Sequence, residues 1–345
     1  MRIGFTYDLR SVWKADGYSD EDTAELDHPE TIDGITQSLQ RLGFEVELIG
    51  RLQQLAEALV AGQRWPLVFN IAEGMHGLAR EAQVPALLDA WRIPYTFSSP
   101  LVMALTLHKG LTKAVIRQAG VPTADFQVVS TLEALSQLTL PYPLFVKPVA
   151  EGSGKGIGPW SKVFDAAGLH ASCALLLERF QQPVLVERWL PGREFTVGIL
   201  GNGPDARVFA IMEVHFGARA ELDAYSKLNK DEYESRVWYQ PVADDEALRA
   251  GEVALQAWRV LECRDGGRID VRSNDRGEPQ FIEVNPLAGL RPVHSDMVIL
   301  ARQVGWSYDR LLAGILGATL RRLGLPLPPA LRACLEASGP SAAGV

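Results

Sequence analysis

Cysteine is scarce in this chain. Only Cys173, Cys263 and Cys334 occur in 345 residues, far apart and with no CxxC pair. Nothing here could build a disulfide framework or a cysteine zinc site, and a reducing cytoplasm is the expected compartment. Basic blocks are absent as well. The 34 Lys+Arg against 42 Asp+Glu leave a net charge of -8 with no arginine stripe, so no nucleic-acid partner is expected. No apolar run is long enough to span a bilayer, and no membrane partner is expected. No basic and apolar leader precedes the first strand-like run. Internal repeats are missing too.

What is present is ordinary for a folded globular protein. The chain is 47% hydrophobic and 22% charged, and long enough for two or three domains. Short apolar runs at 2–7, 44–49 and 65–71 alternate with helical stretches. In the first of these Ile32, Ile35, Leu39 and Leu42 mark one face and Gly43 stops the helix. IPYTFSS, at 93–99, reads as a further strand. Alternation of this kind predicts an α/β unit with a doubly wound parallel sheet over residues 1–98. The polar stretch from Ser11 to His28 reads as a loop. Pro100 to Ala119 reads as one helix, closed by Gly120 and Pro122. Residues 99–184 then hold two short strands, a glycine loop and a helix, which suits a small mobile lid. Residues 185–325 carry several strands, a helix from Asp244 to Leu261, a hairpin and two more helices. Residues 326–345 are a proline- and alanine-rich tail.

The hairpin, GRIDVRSNDRGEPQFIEVN from Gly267 to Asn285, is the most informative stretch. Period two puts Arg268, Asp270 and Arg272 on one face, and Glu283 and Asn285 on one face of the partner strand. Asp270, Glu283 and Asn285 offer only hard oxygen atoms, a Mg²⁺-type donor set. Arg268 beside them could steady an anion. A plain solvated face would show the same residues.

Upstream lies the loop Glu151-Gly152-Ser153-Gly154-Lys155-Gly156-Ile157-Gly158, after the strand LFVKP. Its glycines let backbone amides approach a phosphate, though a flexible turn reads the same way. It is not a Walker A motif, because Gly156 follows Lys155. Lys147, inside that apolar strand, needs a partner, and a phosphate would serve. Lys109 lies on a helix, where a surface position is the default. Glu187, in VLVERW, and Glu194, opening the next strand, read either as solvent-side carboxylates or as a nucleotide clamp. His76 and Glu81 follow a strand of the first unit, a common ligand position. His294, Ser295 and Asp296 lack the G-x-S-x-G of a hydrolase.

Taken together these stretches resemble the ATP-grasp superfamily, and within it the D-alanine–D-alanine ligases. The resemblance rests on IPYTFSSPLVMALTLHKGLTKAVIRQAGVPT, PLFVKPVAEGSGKGIG, VLVERWLPGREFTVGIL, GRIDV and FIEVNPLAGL, in that order. It implies a three-domain fold: the N-terminal sheet, a central lid and a C-terminal antiparallel-sheet domain. It implies ATP and two Mg²⁺ ions, with Mn²⁺ an acceptable substitute, and amino-acid-type substrates joined through an acylphosphate. Lys109 and Lys147 resemble the phosphate lysines. Glu151, Gly152, Ser153 and Gly154 resemble the loop over the phosphates, with Ser153 near the first amino acid. Glu187, Trp189 and Leu190 resemble the adenine pocket, and Glu194 the ribose ligand. Asp270, Glu283 and Asn285 match the metal ligands. Arg268 and the Gly289 amide match the groups facing the tetrahedral intermediate. Lys227 matches a lysine of a mobile loop, and Glu30 the glutamate for the first substrate's ammonium.

The family's pattern is broken in places. Leu228 stands where a tyrosine usually follows the loop lysine, and NPLAGLRPVHSD replaces the usual run after the metal asparagine, adding Arg291. These changes fall where amino acids would bind, so a same-fold ligase for other amino acids, or for a secondary-metabolite carboxylate, is a live alternative. A non-catalytic ATP-binding protein is another. Related ligases are often dimers, so the resemblance also implies a homodimer.

Overall fold

Strand Arg2–Thr6 (β1) lies between Glu45–Gly50 (β2) and Val68–Asn70 (β3), parallel to both, in the order β2-β1-β3. The computed structural model describes residues 1–216 and 237–337. Ile3 and Phe5 of β1 are fully buried, because helices cover both faces of the sheet. Pro29–Arg41 lays Ile32, Ile35 and Leu39 on one face, while Leu52–Val60 and Gln83–Ala90 lay Leu55, Leu59, Val84 and Leu88 on the other. The alternation read from the sequence is thus a parallel sheet. IPYTFSS differs. It adds only an isolated parallel bridge, Val68 to Tyr95, because Phe97 turns into the left-handed region at φ 69°.

The next sheet is antiparallel. Phe126–Val129 (β4), Leu144–Pro148 (β5), Lys162–Val163 (β6) and Val184–Arg188 (β7) pair in the order β4-β7-β5-β6. Helix Ala166–Phe180 covers one side with Leu169, Cys173 and Leu176, and Asp165 caps its start by accepting from Gly168 N. The other side of β5 and β7 stays open.

The largest sheet joins Glu194–Leu200 (β8), Arg207–Phe216 (β9), Val237–Pro241 (β10), Gly266–Ser273 (β11) and Pro279–Asn285 (β12), in the antiparallel order β10-β9-β8-β11-β12. Helix Asp245–Val260 packs Ala247, Ala250, Ala254, Ala257 and Trp258 on it. The alanines let the helix lie close to the strands.

Two stretches depart from the sequence reading, and a third adds to it. The acidic run after Leu9 contains a helix, Arg10–Ala15, and returns through a bridge between Leu9 and Asp27. The helix expected over 100–119 breaks at His108, whose ψ of 89° is not helical. The break lets Lys109 N donate to Val149 O at 2.9 Å, and the His108 ring caps the second helix, Lys109–Gln118, by accepting from Leu111 N. In the tail, Pro329–Glu336 is helical and buries Leu331 in the cluster that includes Ile3 and Phe5. The three cysteines are free thiols. Among the described residues, no helix is long and apolar enough to cross a membrane.

Candidate active site

The β11/β12 register sets Arg268 opposite Asn285 and Asp270 opposite Glu283. Directly opposed residues share a face, so these four side chains stand together. Arg268 and Asp270 are buried and ion-paired to one another. Asp270 Oδ1 accepts from Thr196 Oγ1 at 2.9 Å, and Arg268 Nε lies 3.4 Å from Asp296 Oδ2. Burial alone would favour a neutral Arg268, but Asp270, Asp296 and Glu283 more than reverse this and hold the guanidinium charged.

The open side of β5 and β7 faces this hairpin across a cleft. Its walls include Lys147, Glu187, Trp189 and Leu190 on one sheet, Glu194, Asp270, Arg272 and Glu283 on the other, and the glycine loop above. Glu187 is 3% exposed and sits between two lysines, 2.9 Å from Lys147 Nζ and 2.8 Å from Lys113 Nζ. Burial pushes this carboxyl up, and the two ammonium groups outweigh it, holding Glu187 down at about 2. Glu194 meets Arg272 at 2.8 Å, and Arg272 and Lys162 lie over the Trp189 ring at 4.3 and 4.1 Å. The loop is shaped by Ser153 at φ 49°, Gly154 at φ 71° and Gly156 at φ 80°. At Gly156 a Cβ would come within 2.4 Å of the Pro148 ring, so only glycine fits.

A second cavity, of about 330 Å³, adjoins the cleft. Arg10, Arg268, Gly289, Arg291 and His294 line it together with Glu25, Asp27, Glu73 and Glu81. Lys109, Glu151, Gly152 and Glu283 border both chambers. Lys109 is 8% exposed and stands 3.6 Å from Glu283, so the surface position expected of a helical lysine is not the one it takes.

Most residues singled out from the sequence converge on these two chambers. Ser153 and Gly289 line the cavity, and Gly154 and Leu190 the cleft. Glu30 stands apart. Its side chain is 68% exposed, pairs with Arg291 at 2.8 Å and does not line the cavity. It occupies the outer face of the first helical turn, while Ile32 and Ile35 take the inner one. Glu25 is the acid that meets the glycine loop: its Oε1 accepts from Gly152 N at 2.6 Å and its Oε2 pairs with Arg80 at 2.6 Å. His76 is exposed and bonds Tyr18 OH at 2.8 Å. Lys227 and Leu228 lie outside the described residues. Lys113, Glu25 and Arg80 were not found by sequence reasoning, and Arg272 was placed on the hairpin face without a role. A signal for Lys113 existed: Lys109, Lys113 and Ile116 fall on one helical stripe, and all three are buried.

Asp270, Glu283 and Asn285 fit a hard divalent ion in donor type. The Asn285 Nδ2 is buried with no hydrogen-bond partner among the described residues, so one end of that amide is not engaged by the fold. Among the described residues no group of three His, Cys, Asp or Glu is placed to hold a metal, so the third protein oxygen of this set is the asparagine's.

Residues 115–317 match the family model for the D-ala D-ala ligase C-terminus. The chain is 31% identical to the uncharacterized protein y4sG of Sinorhizobium fredii, over 84% of this chain and 87% of that one. It is also 31% identical to D-alanine–D-alanine ligase B of Xanthomonas campestris, over 83% and 88%. In fold it resembles the D-alanine–D-alanine ligase of Bacillus anthracis solved with ATP, with a TM-score of 0.70 at 21% identity, covering 93% of this chain and 98% of that one.

Proposed function

The chain belongs to the D-alanine–D-alanine ligase family of ATP-grasp proteins, and from that premise we propose that it is an ADP-forming ligase that joins two amino-acid-type substrates by an amide bond. The supporting observation is the shared wall. The hairpin that carries Asp270 and Glu283 faces the cleft of Lys147, Glu187, Trp189 and Glu194 on one side and the cavity of Arg268 and Gly289 on the other.

In this reading the cleft takes ATP. Trp189 and Leu190 hold the base, Glu194 the ribose, and Lys109, Lys147 and the amides of Gly152 to Gly154 the phosphates. Asp270, Glu283 and Asn285 would hold Mg²⁺, two ions in our assignment, which neutralises phosphate charge when bound. The γ-phosphoryl group passes to one substrate's carboxylate. The second substrate's amine then displaces phosphate and forms the amide. The protein's part is positioning and charge: Arg268 and the Gly289 amide face the oxyanion of the second step. Lys227 would close over the phosphates and keep water from the acylphosphate. A cytoplasmic homodimer in peptidoglycan assembly completes the proposal.

Glu283→Ala tests it. We expect amino-acid-dependent ADP release to fall by on the order of 10³ or more, the cost of losing a transition-state charge partner, with the far-UV CD spectrum unchanged. Full turnover in this variant would remove the metal assignment. A chain that binds ATP but releases no ADP with any acid and amine would favour the non-catalytic reading.

A further inference from the structure

Resting on that assignment of the cavity, we propose that one substrate is an amino acid with a cationic side chain, such as a diamino acid, recognised by Asp27, Glu73 and Glu81. The cavity is marked as a ligand site independently of these acids, because it shares Lys109, Glu151, Gly152 and Glu283 with the nucleotide cleft and holds Arg268.

The acids lining it outnumber their ion-pair partners in the fold. Glu25 is paired with Arg80, Glu151 with Lys155 at 2.9 Å, Glu283 with Lys109, and Asp296 faces Arg268. Asp27, Glu73 and Glu81 have no ion pair among the described residues. Two amino acids with small apolar side chains need far less negative charge. The first brings one ammonium group, and the second must present a neutral amine to attack. One carboxylate would serve them, and three stand without an ion pair among the described residues, with Arg80 acting on Glu73 and Glu81 only from a distance. Among the described residues no three of these acids converge on one point. An extended organic cation fits carboxylates that line a cavity without converging on a point. Burial, together with their neighbours' like charge, raises Asp27 and Glu73 well above the usual carboxylate range, so a substrate ammonium would take the place of protons that the free cavity holds.

The test is ADP release with ATP and Mg²⁺, using lysine, ornithine, 2,3-diaminopropionate and alanine of either hand, singly and in pairs. At least one diamino acid should show kcat/KM about 100-fold above alanine of the same hand, as expected where polar groups go unpaired with the wrong substrate. The Glu73→Gln/Glu81→Gln double variant should cut that preference by about tenfold or more, since it removes charge partners and not the catalytic groups. Asp27→Asn provides an independent variant should the double one fail to fold. Alanine used as well as or better than every diamino acid would overturn the inference and leave the ligase reading standing. No ADP release with any amino acid would overturn the ligase reading itself, and this inference with it.

Discussion

Glu187 shows how far one residue's surroundings can change its meaning. From sequence it was a carboxylate in an apolar strand, free to meet a base. In the fold it is the anion between Lys113 and Lys147. Lys113→Met would leave the cluster short of a charge and should destabilise the protein by about 3 kcal/mol, the cost of breaking a buried pair, measured by urea unfolding. It should also raise KM for ATP more than it lowers kcat, because Glu187 and Lys147 would lose their placement. Glu81 gives a pH signature. Burial first, then Glu25, lifts it from 4.5 to about 7, against Arg80. The folded chain thus holds that proton more tightly than the unfolded chain does. The contribution is full below about pH 4.5 and is lost as pH rises to about 7, at most about 3 kcal/mol. Glu81→Gln should flatten the decline in unfolding free energy between pH 5 and 8; an unchanged slope would contradict it.

Among elements, the hairpin was the most legible. Its period-two pattern and turn residues at 274–279 are local signals, and they set Asp270 and Glu283 on one face before any fold was known. The helix break at His108 was not legible, since His108 has no strong breaking preference; the bond from Lys109 N to Val149 O, across the fold, decides it. Glu25 was hidden for a similar reason. It lies in an aperiodic acidic stretch, and its partners Arg80 and Gly152 are 55 and 127 positions away. Lys113 could have been read from its helical stripe, but its partner Glu187 could not. The glycine loop is the element most exposed to a single change. Gly156→Ala puts a Cβ against Pro148 at φ 80°, so it should cost about 1–3 kcal/mol of strain and lower kcat/KM for ATP severalfold in steady-state assays.

For the whole molecule, Asp265 is a tie between distant parts. It is fully buried, accepts from Phe97 N at 2.8 Å and pairs with Arg322 at 2.7 Å, while Arg322 also donates to Tyr95 O at 3.0 Å. One carboxylate thereby joins the end of the first sheet unit, the approach to β11 and helix Tyr308–Arg322. Asp265→Ala strands a half-buried guanidinium and the buried Phe97 N–H, and should lower stability by about 3 kcal/mol, seen as an earlier melting transition. The same scale decides what the shared wall does. Lys109, Glu151, Gly152 and Glu283 line both chambers. Charges that border both compartments are felt in each. In the proposed assignment a triphosphate on one side would therefore reset the potential felt by the amino acid on the other. By thermodynamic reciprocity each guest would then change its neighbour's affinity by the same factor, a coupling carried by three side chains and one glycine backbone.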